Sequence, residues 1–385
     1  MRFSVDAHAV GQHLTGNETY IRNLLNSFAV LDREADFVTY ISRAHAMEQI
    51  PQRFCSKRVA VNPFRRLGFD LPRRLRQDRP SLLHVQYTGP LFCPVPLVVS
   101  VHDVSFLENP EYFTTFRAVQ LRCTVQRTVR AAACVLTPSE FSKRSILAAY
   151  GLDPARVVAL PNGVSSAFHP VARETAQRHV RSSFSLPAPF VLTVSDLQPR
   201  KNHLGLISAF EQLLRAHPEL PHHLVIVGKE TWYAPTVRSA ARKSEVSGRI
   251  HFTGFVSDEE LLELYGACDL FVYPSFYEGF GLPILEAMAC GRAVACSNTS
   301  AMPEVADSAA ILFDPADRQD LVLAMRDLLL NPELRSRMER LGMQRATTFS
   351  WEKTASKTLE LYYQIAGQAK HAAKPSMKSI SAAFS

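Results

Sequence analysis

Strand-like and helix-like segments alternate twice over along this 385-residue chain, and no other feature narrows its possible folds so far. In the first half, residues 2–7, 37–41, 58–61, 81–85, 96–101, 134–137 and 156–160 read as strands. The helix after the first strand, 18–31, sets Tyr20, Ile21, Leu24, Leu25, Phe28 and Leu31 along one stripe. In the second half the strands fall at 190–194, 223–227, 250–252, 270–273, 293–296 and 310–313, with helices at 202–216, 235–246 and 258–268 between them. Ser257-Asp-Glu-Glu260 is a capping-box start for the last of these helices. Alternation of this kind gives α/β architecture, with parallel sheets covered by helices on both faces.

The seam between the halves lies at Pro161-Asn-Gly163 and extends to about Pro189. The expected layout is two Rossmann-like domains, 1–165 and 190–348, joined by a linker at 166–189 and facing each other across a cleft. A helix at 349–366, introduced by Phe349-Ser-Trp351, and a disordered tail at 367–385 follow. Ligands in such folds sit outside the C-terminal ends of the strands.

Composition bounds the class. Apolar residues at 46% and charged residues at 21% are those of a soluble globular protein. No apolar run approaches the roughly 18–20 residues that span a bilayer. Met1-Arg-Phe-Ser runs straight into the first strand without a signal-peptide core. Seven cysteines (55, 93, 123, 134, 268, 290 and 296) form no CxxC pair and lie mostly in apolar runs, as reduced thiols do. A cytoplasmic location is expected.

The net charge of +7 is unevenly placed: between Pro51 and Pro80, nine basic residues face only Asp70 and Asp78. Phe64, Leu67, Phe69, Leu71 and Leu75 are interleaved with them. One reading is a patch containing Arg65, Arg66, Arg73 and Arg74 that meets an acidic acceptor or the anionic inner face of a membrane. The other is a solvated, arginine-rich helical hairpin. No zinc-ligand spacing, RNP-like run or helix-turn-helix accompanies the charge, so nucleic acid is not an expected partner.

Four places carry chemistry. The strongest is Glu278-Gly-Phe-Gly-Leu-Pro-Ile-Leu-Glu286, where two carboxylates flank a glycine-rich turn that follows a strand. Pro283 suits a first helical position, Glu286 then falls in the first turn, and Gly291 closes the helix. A helix N-terminus there offers backbone N–H groups to a phosphate, while Glu278 can accept from sugar hydroxyls. Ser195-Asp-Leu-Gln-Pro-Arg200-Lys201-Asn202 places two cations at a helix start, where they oppose the helix dipole. A diphosphate between them would account for that placement. His102-Asp103 ends the strand at 96–101, and the Gly11–Gly16 loop precedes the first long helix. Each has a plainer reading as a capped turn or a solvated charge pair.

Taken in order, these residues resemble a retaining glycosyltransferase of family 4, which has the GT-B fold. The resemblance runs through the Gly16 loop and Tyr20 helix, His102-Asp103, Leu136-Thr-Pro-Ser-Glu-Phe-Ser142, Leu160-Pro-Asn-Gly-Val164 and Pro199-Arg-Lys-Asn202. It continues through Gly254-Phe-Val256, the Glu278–Glu286 motif, Met302-Pro-Glu304 and Phe349-Ser-Trp351, and so covers nearly the whole chain. Among subgroups it looks most like bacterial mannosyltransferases of polysaccharide and O-antigen assembly.

The resemblance implies that Arg200 and Lys201 neutralise the departing nucleotide diphosphate and that Glu286 binds the ribose. Glu278 and the N–H groups around Gly279, Phe280, Gly281 and Leu282 would hold the donor sugar and distal phosphate. His102 would contact the transferred sugar, the Gly16 loop would lie against the diphosphate, and main chain near Val256 would read the base. The last helix would cross back to the first domain. One departure is Ser195, where many members carry a further arginine, so charge would rest more heavily on Arg200 and Lys201.

The implied reaction moves a hexose, mannose from GDP-mannose first, to a hydroxyl of a glycan or lipid-linked acceptor with retention. UDP-glucose and UDP-N-acetylglucosamine stand behind it as donors. No cofactor and no metal are expected, since no Asp-x-Asp pair sits in a suitable loop and the cations can substitute. The rival readings are another GT-B enzyme and a catalytically silent nucleotide-sugar-binding protein.

Overall fold

The computed structural model describes residues 1–12 and 15–372. Seven strands, Arg2–Asp6 (β1), Asp36–Ile41 (β2), Cys55–Arg58 (β3), Leu83–Gln86 (β4), Leu97–Ser100 (β5), Cys134–Thr137 (β6) and Val157–Ala159 (β7), form one parallel sheet. Their order is β3-β2-β1-β4-β5-β6-β7. Six more, Phe190–Val194 (β8), His223–Val227 (β9), Ile250–Gly254 (β10), Leu270–Tyr273 (β11), Val294–Ser297 (β12) and Ile311–Phe313 (β13), form a second parallel sheet. Its order is β10-β9-β8-β11-β12-β13. The central strands are buried along their length, as continuous apolar runs such as Leu97-Val-Val and Leu270-Phe-Val require when helices cover both faces.

Each sheet reverses its winding once, between β1 and β4 in the first and between β8 and β11 in the second. Adjacent strand ends open a crevice at such a reversal, because their following loops turn to opposite faces. The residues singled out from sequence follow β5, β8 and β11, so the topology gathers them at one level of the molecule.

Three expectations need correcting. The third strand spans 55–58 and not 58–61. Val59 N–H still bonds the Ile41 carbonyl at 2.9 Å, but Asp70 accepts the Ala60 N–H at 2.8 Å and Asn62 caps the following turn through Phe64 and Arg65, so the ladder ends before residues 60–62. The stretch at 166–189 carries a helix, Arg173–Phe184, whose Ala176 and Val180 bury in the second domain beside Leu264 and Tyr265. The last helix runs Trp351–Ala372, so residues 367–372 are helical where a tail was expected. Residues 373–385 of that expected tail lie outside the described residues. Among the described residues no helix is long and apolar enough to cross a membrane.

That last helix does cross back. Trp351, Ala355, Leu359, Tyr362 and Ala366, spaced along one face, are buried with Phe3, Leu24 and Phe28 in the core of the first domain. The Tyr362 ring lies 5.3 Å from Phe3 and 5.6 Å from Phe28. Its hydroxyl pairs with His84 Nδ1 at 2.5 Å, His84 Nε2 with Ser100 Oγ at 2.7 Å, and Ser100 Oγ with Tyr20 OH at 2.8 Å. Burial, reinforced by His102, pushes the His84 pKa down to about 3, so this chain of bonds is neutral. Tyr362→Phe keeps the packing but strands His84 Nδ1 in the core. It should lower unfolding stability in urea by about 1–3 kcal/mol, the cost of an unmet buried polar group.

Candidate functional site

The turn after β8 builds the cationic part of the crevice. Residues Pro199–Lys201 form a single 3₁₀ turn, Asn202 adopts a left-handed conformation (φ 54°), and its Oδ1 accepts from Gly205 N–H at 3.2 Å to start the helix His203–Ala216. Arg200 and Lys201 therefore precede the helix, and their charges are met by a carboxylate. Glu278 Oε2 lies 2.9 Å from Arg200 and Oε1 lies 2.6 Å from Lys201 Nζ. Arg200 also donates to the Tyr277 carbonyl at 2.8 Å, and Lys201 to Tyr273 OH at 2.9 Å.

These charges are buried, and they tune one another. Burial alone would raise the Glu278 pKa, but Arg200 and Lys201 outweigh it and hold the carboxyl down to about 2. Burial and the neighbouring Arg200 lower the pKa of Lys201, with Glu278 opposing them. Burial works against charge on Arg200 as well, and there Glu278 and Asp103 prevail and raise it. Glu278 is thus shared by two cations, with Asp103 acting on Arg200 and Asp196 on Lys201 besides it.

The loop after β11 supplies the rest. Gly281 (φ 111°) precedes the helix Leu282–Ala289, with Pro283 in its first turn. Glu286 is the fifth residue of that helix, not a first-turn residue, and its carboxylate is turned inward to accept from Tyr265 OH at 2.9 Å. Burial pushes the Glu286 pKa up to about 7, against the Tyr265 hydrogen bond and with help from Asp258. Gly291 (φ 70°) ends the helix after Cys290. Phe280 is buried, its ring 5.8 Å from that of Phe349. The Val256 side chain is buried in the same core.

The first domain meets this loop at Gly279. A Cβ there would stand 2.1 Å from the His102 carbonyl oxygen, so only glycine permits the approach. The Gly279 carbonyl accepts from Ser139 Oγ at 2.8 Å and Ser142 Oγ at 3.1 Å, and Ser142 also donates to the His102 carbonyl at 3.0 Å. Beside them, Glu304 accepts from the N–H groups of Glu140 (2.8 Å) and Phe141 (3.1 Å) at the start of the helix Glu140–Tyr150. The His102 ring packs edge-on to Tyr20 at 4.7 Å, and its Nε2 pairs with Gln86 Oε1 at 2.9 Å. Burial lowers its pKa to about 4 despite Asp103.

His102, Arg200, Lys201, Glu278, Gly279, Phe280 and Gly281 are thus on adjoining loops and turns, and Leu282 and Glu286 on the helix that follows. Gly16 stands apart from the expectation: it lies in the first turn of the helix Thr15–Leu31, exposed, with open space around its Cβ position. The glycine that its geometry requires is Gly11 (φ 73°), where a Cβ would stand 2.7 Å from His45. Residues 13–14 of that loop lie outside the described residues.

The basic patch is also redrawn. Arg66 is buried against Asp6 at 3.6 Å, so it is not part of a surface. Burial would raise the Asp6 pKa, and His8 and Arg66 instead bring it down to about 2. Arg65 and Arg73 are exposed, and half-buried Arg74 reaches the Arg58 carbonyl at 3.5 Å. Gln86, Tyr87, Tyr265 and Tyr273 were not found from sequence. Gln86 lay one residue past the expected end of its strand, and Tyr265 and Tyr273 fell within an expected helix and strand without a motif to mark them.

Comparisons with known proteins agree on the kind of chain this is. The family described as "Glycosyltransferase Family 4" matches residues 14–168, and that described as "Glycosyl transferases group 1" matches residues 176–345. The chain is 32% identical to O-antigen chain mannosyltransferase B of Escherichia coli, covering 91% of this chain and 96% of that one. It is 30% identical to the serotype-specific mannosyltransferase WbdA of Escherichia coli over 69% of its own length but only 33% of WbdA. Among solved structures, Anabaena Alr3699/HepE in complex with UDP and glucose superposes with a TM-score of 0.76, at 19% identity, over 94% of this chain and all of that one. Sucrose-phosphate synthase from Thermosynechococcus elongatus gives 0.75 at 18% identity over 96% of this chain and all of that one.

The titration of Glu286 is testable without any ligand. Its folded pKa of about 7 exceeds the usual value of 4.5, so the folded chain holds a proton that the unfolded chain releases. Stability from this group is complete below the unfolded pKa and is lost as pH rises through about 7. Glu286→Gln removes that loss. The variant should gain on the order of 2–3 kcal/mol over the native protein at pH 8.5, and little at pH 5, in paired urea titrations. An equal difference at both pH values would show that Glu286 does not titrate in that window.

Proposed function

This chain belongs to glycosyltransferase family 4, and from that premise we propose that it transfers mannose from GDP-mannose, with retention, to a hydroxyl of a glycan or lipid-linked glycan in surface-polysaccharide assembly. The observation that carries this reading is the identity to an O-antigen mannosyltransferase along nearly the full length of both chains. UDP-glucose is the second donor; the fold it shares with a protein bound to UDP and glucose bears on architecture and leaves the sugar open.

In this reading the diphosphate enters between Arg200 and Lys201 and competes with Glu278 for their charge. The C1–phosphate bond breaks as the acceptor oxygen bonds C1 on the same face, and the acceptor proton passes to the leaving phosphate oxygen. Fixed cations stabilise the charge that develops there, the role a metal ion takes in other transferases. Glu278 is held to two cations with a low pKa, which suits an electrostatic and sugar-binding role over that of a nucleophile. Glu286 would take the ribose hydroxyls, Gly279, Phe280, Gly281 and Leu282 the distal phosphate and sugar, and main chain at Val256 the base.

Nucleotide diphosphate release from a panel of GDP-, UDP- and ADP-sugars tests this directly. GDP-mannose should be hydrolysed slowly without acceptor, equally with and without EDTA. Lys201→Ala and Glu286→Ala should each reduce that rate at least about 100-fold, by loss of charge stabilisation and of donor positioning. Release from a UDP-sugar alone, or loss of activity in EDTA, would refute the donor or the metal-independent part respectively.

A lipid-linked acceptor would bring the enzyme to an anionic membrane face, and one surface fits that partner. Phe64, Phe69, Leu91 and Phe92 are between 61% and 75% exposed, and Leu91 N–H bonds the Leu67 carbonyl at 3.1 Å, joining both segments in one patch. On the same segment Arg65, Arg73, Arg76 and Arg79 are exposed; Asp70 is engaged by Ala60 N–H and lies 3.9 Å from Arg65, and Asp78 is engaged by Lys57 and Tyr40. Aromatic side chains amid arginines bind anionic bilayers by insertion and by charge together. The protein should sediment with vesicles containing phosphatidylglycerol, less so in high salt. Replacing Phe64, Phe69, Leu91 and Phe92 by serine should weaken partitioning at least about tenfold. Unaltered partitioning in that variant would remove this surface from the proposal.

A further inference from the structure

Besides Tyr20, His102 is held by groups that family resemblance did not point to. Its ring is gripped edge-on between Tyr20 at 4.7 Å and Tyr87 at 5.6 Å. Tyr87 adopts a left-handed backbone conformation (φ 57°), which a bulky aromatic residue takes only when its surroundings impose it. That conformation follows directly on Gln86 at the end of β4, so one short corner delivers both the Tyr87 ring and the Gln86 amide to His102. The main chain of His102 is fixed as well, through Ser142 Oγ on its carbonyl.

The remaining freedom of an imidazole is its tautomer, and the partner of one nitrogen decides the state of the other. Gln86 presents its carbonyl oxygen to Nε2 at 2.9 Å, leaving its own amide nitrogen buried without a partner among the described residues, and a carbonyl accepts only from a protonated nitrogen. Among the described residues Nδ1 has no hydrogen-bond partner, and it is not among the buried atoms stranded without one. We propose that Gln86 is a positioning residue that holds His102 as the neutral Nε2–H tautomer and so presents Nδ1 to the crevice as a hydrogen-bond acceptor. His102 then meets a ligand hydroxyl as its acceptor and gives it no proton. Burial of the ring keeps it neutral, in line with its lowered pKa. The titratable groups facing it are Tyr20 from the first long helix, His84 and Tyr87 from β4 and its end, and the adjoining Asp103. That the ligand hydroxyl belongs to the transferred sugar rests on the function proposed above.

Long-range ¹H–¹⁵N correlation spectra of the full chain carrying ¹⁵N-histidine read the tautomer directly, with His102 assigned by its loss in His102→Gln. The native protein should show Nε2 protonated and Nδ1 bare. Gln86→Leu removes the acceptor; it should mix the tautomers and lower kcat roughly 10–100-fold, with donor KM within about threefold, as a misdirected contact does. Gln86→Glu keeps an acceptor oxygen on Nε2–H, so it should restore the tautomer and bring kcat to within about tenfold of native. Its carboxylate also stabilises the imidazolium, so the acid limb of the kcat profile should move up by about one pH unit or more. Merely structural damage would neither recover in Gln86→Glu nor shift that limb. An Nδ1–H tautomer in the native protein, or an unchanged tautomer in Gln86→Leu, would overturn the proposal. The expected tautomers with no turnover of any nucleotide sugar would support the Gln86–His102 pairing and overturn the proposed reaction instead.

Discussion

The two domains of this protein become one site through the contact between Gly279 and His102. Two loops from separate sheets approach so closely that no side chain fits between them, and two serine hydroxyls bind the carbonyls that meet there. The loop that carries Gly279 also carries Glu278, which neutralises Arg200 and Lys201, so the geometry of the charge cluster and the seating of the domains are set by the same few residues. A shift of one domain would move His102 relative to the cations. If His102 meets the sugar and the cations the leaving group, as proposed, small errors in that distance are costly.

Charge without solvent is the second theme of the site. Arg200, Lys201, Glu278 and Glu286 are all largely removed from water, an arrangement that a stability argument alone does not favour. Glu278 satisfies the cations in the protein as it stands, and a diphosphate would relieve it of that task. Glu286 has only a tyrosine hydroxyl and a high pKa, so it is the less comfortable of the two carboxylates and the one with most to gain from ligand hydroxyls. The two ends of one motif therefore solve burial in opposite ways.

Much of this was legible in the sequence. Strands such as 134–137, 190–194, 223–227 and 270–273 lie where apolar runs bounded by turn residues place them, because buried parallel strands leave that signature. Residues whose position is settled by distant partners were not legible. The Cys55–Arg58 strand was misplaced because its start is set by pairing with Val38 and its end by Asp70, which takes the Ala60 N–H. Arg66 looked like its exposed neighbours, and only the fold brings Asp6 to it. Gln86 carries no motif at all; its importance comes from the neighbouring strand, whose end puts His102 within reach.

The helix that returns from the second domain to the first has a consequence for biosynthesis. Trp351, Ala355, Leu359, Tyr362 and Ala366 complete a core whose other members, Phe3 and Phe28 among them, emerge from the ribosome hundreds of residues earlier. The second domain has its sheet and most of its helices before that segment is made. The first domain, although synthesised first, keeps an apolar face uncovered until residues 351–366 have been made. Vectorial folding is therefore reversed at this point: the leading half waits for a segment made after the second domain.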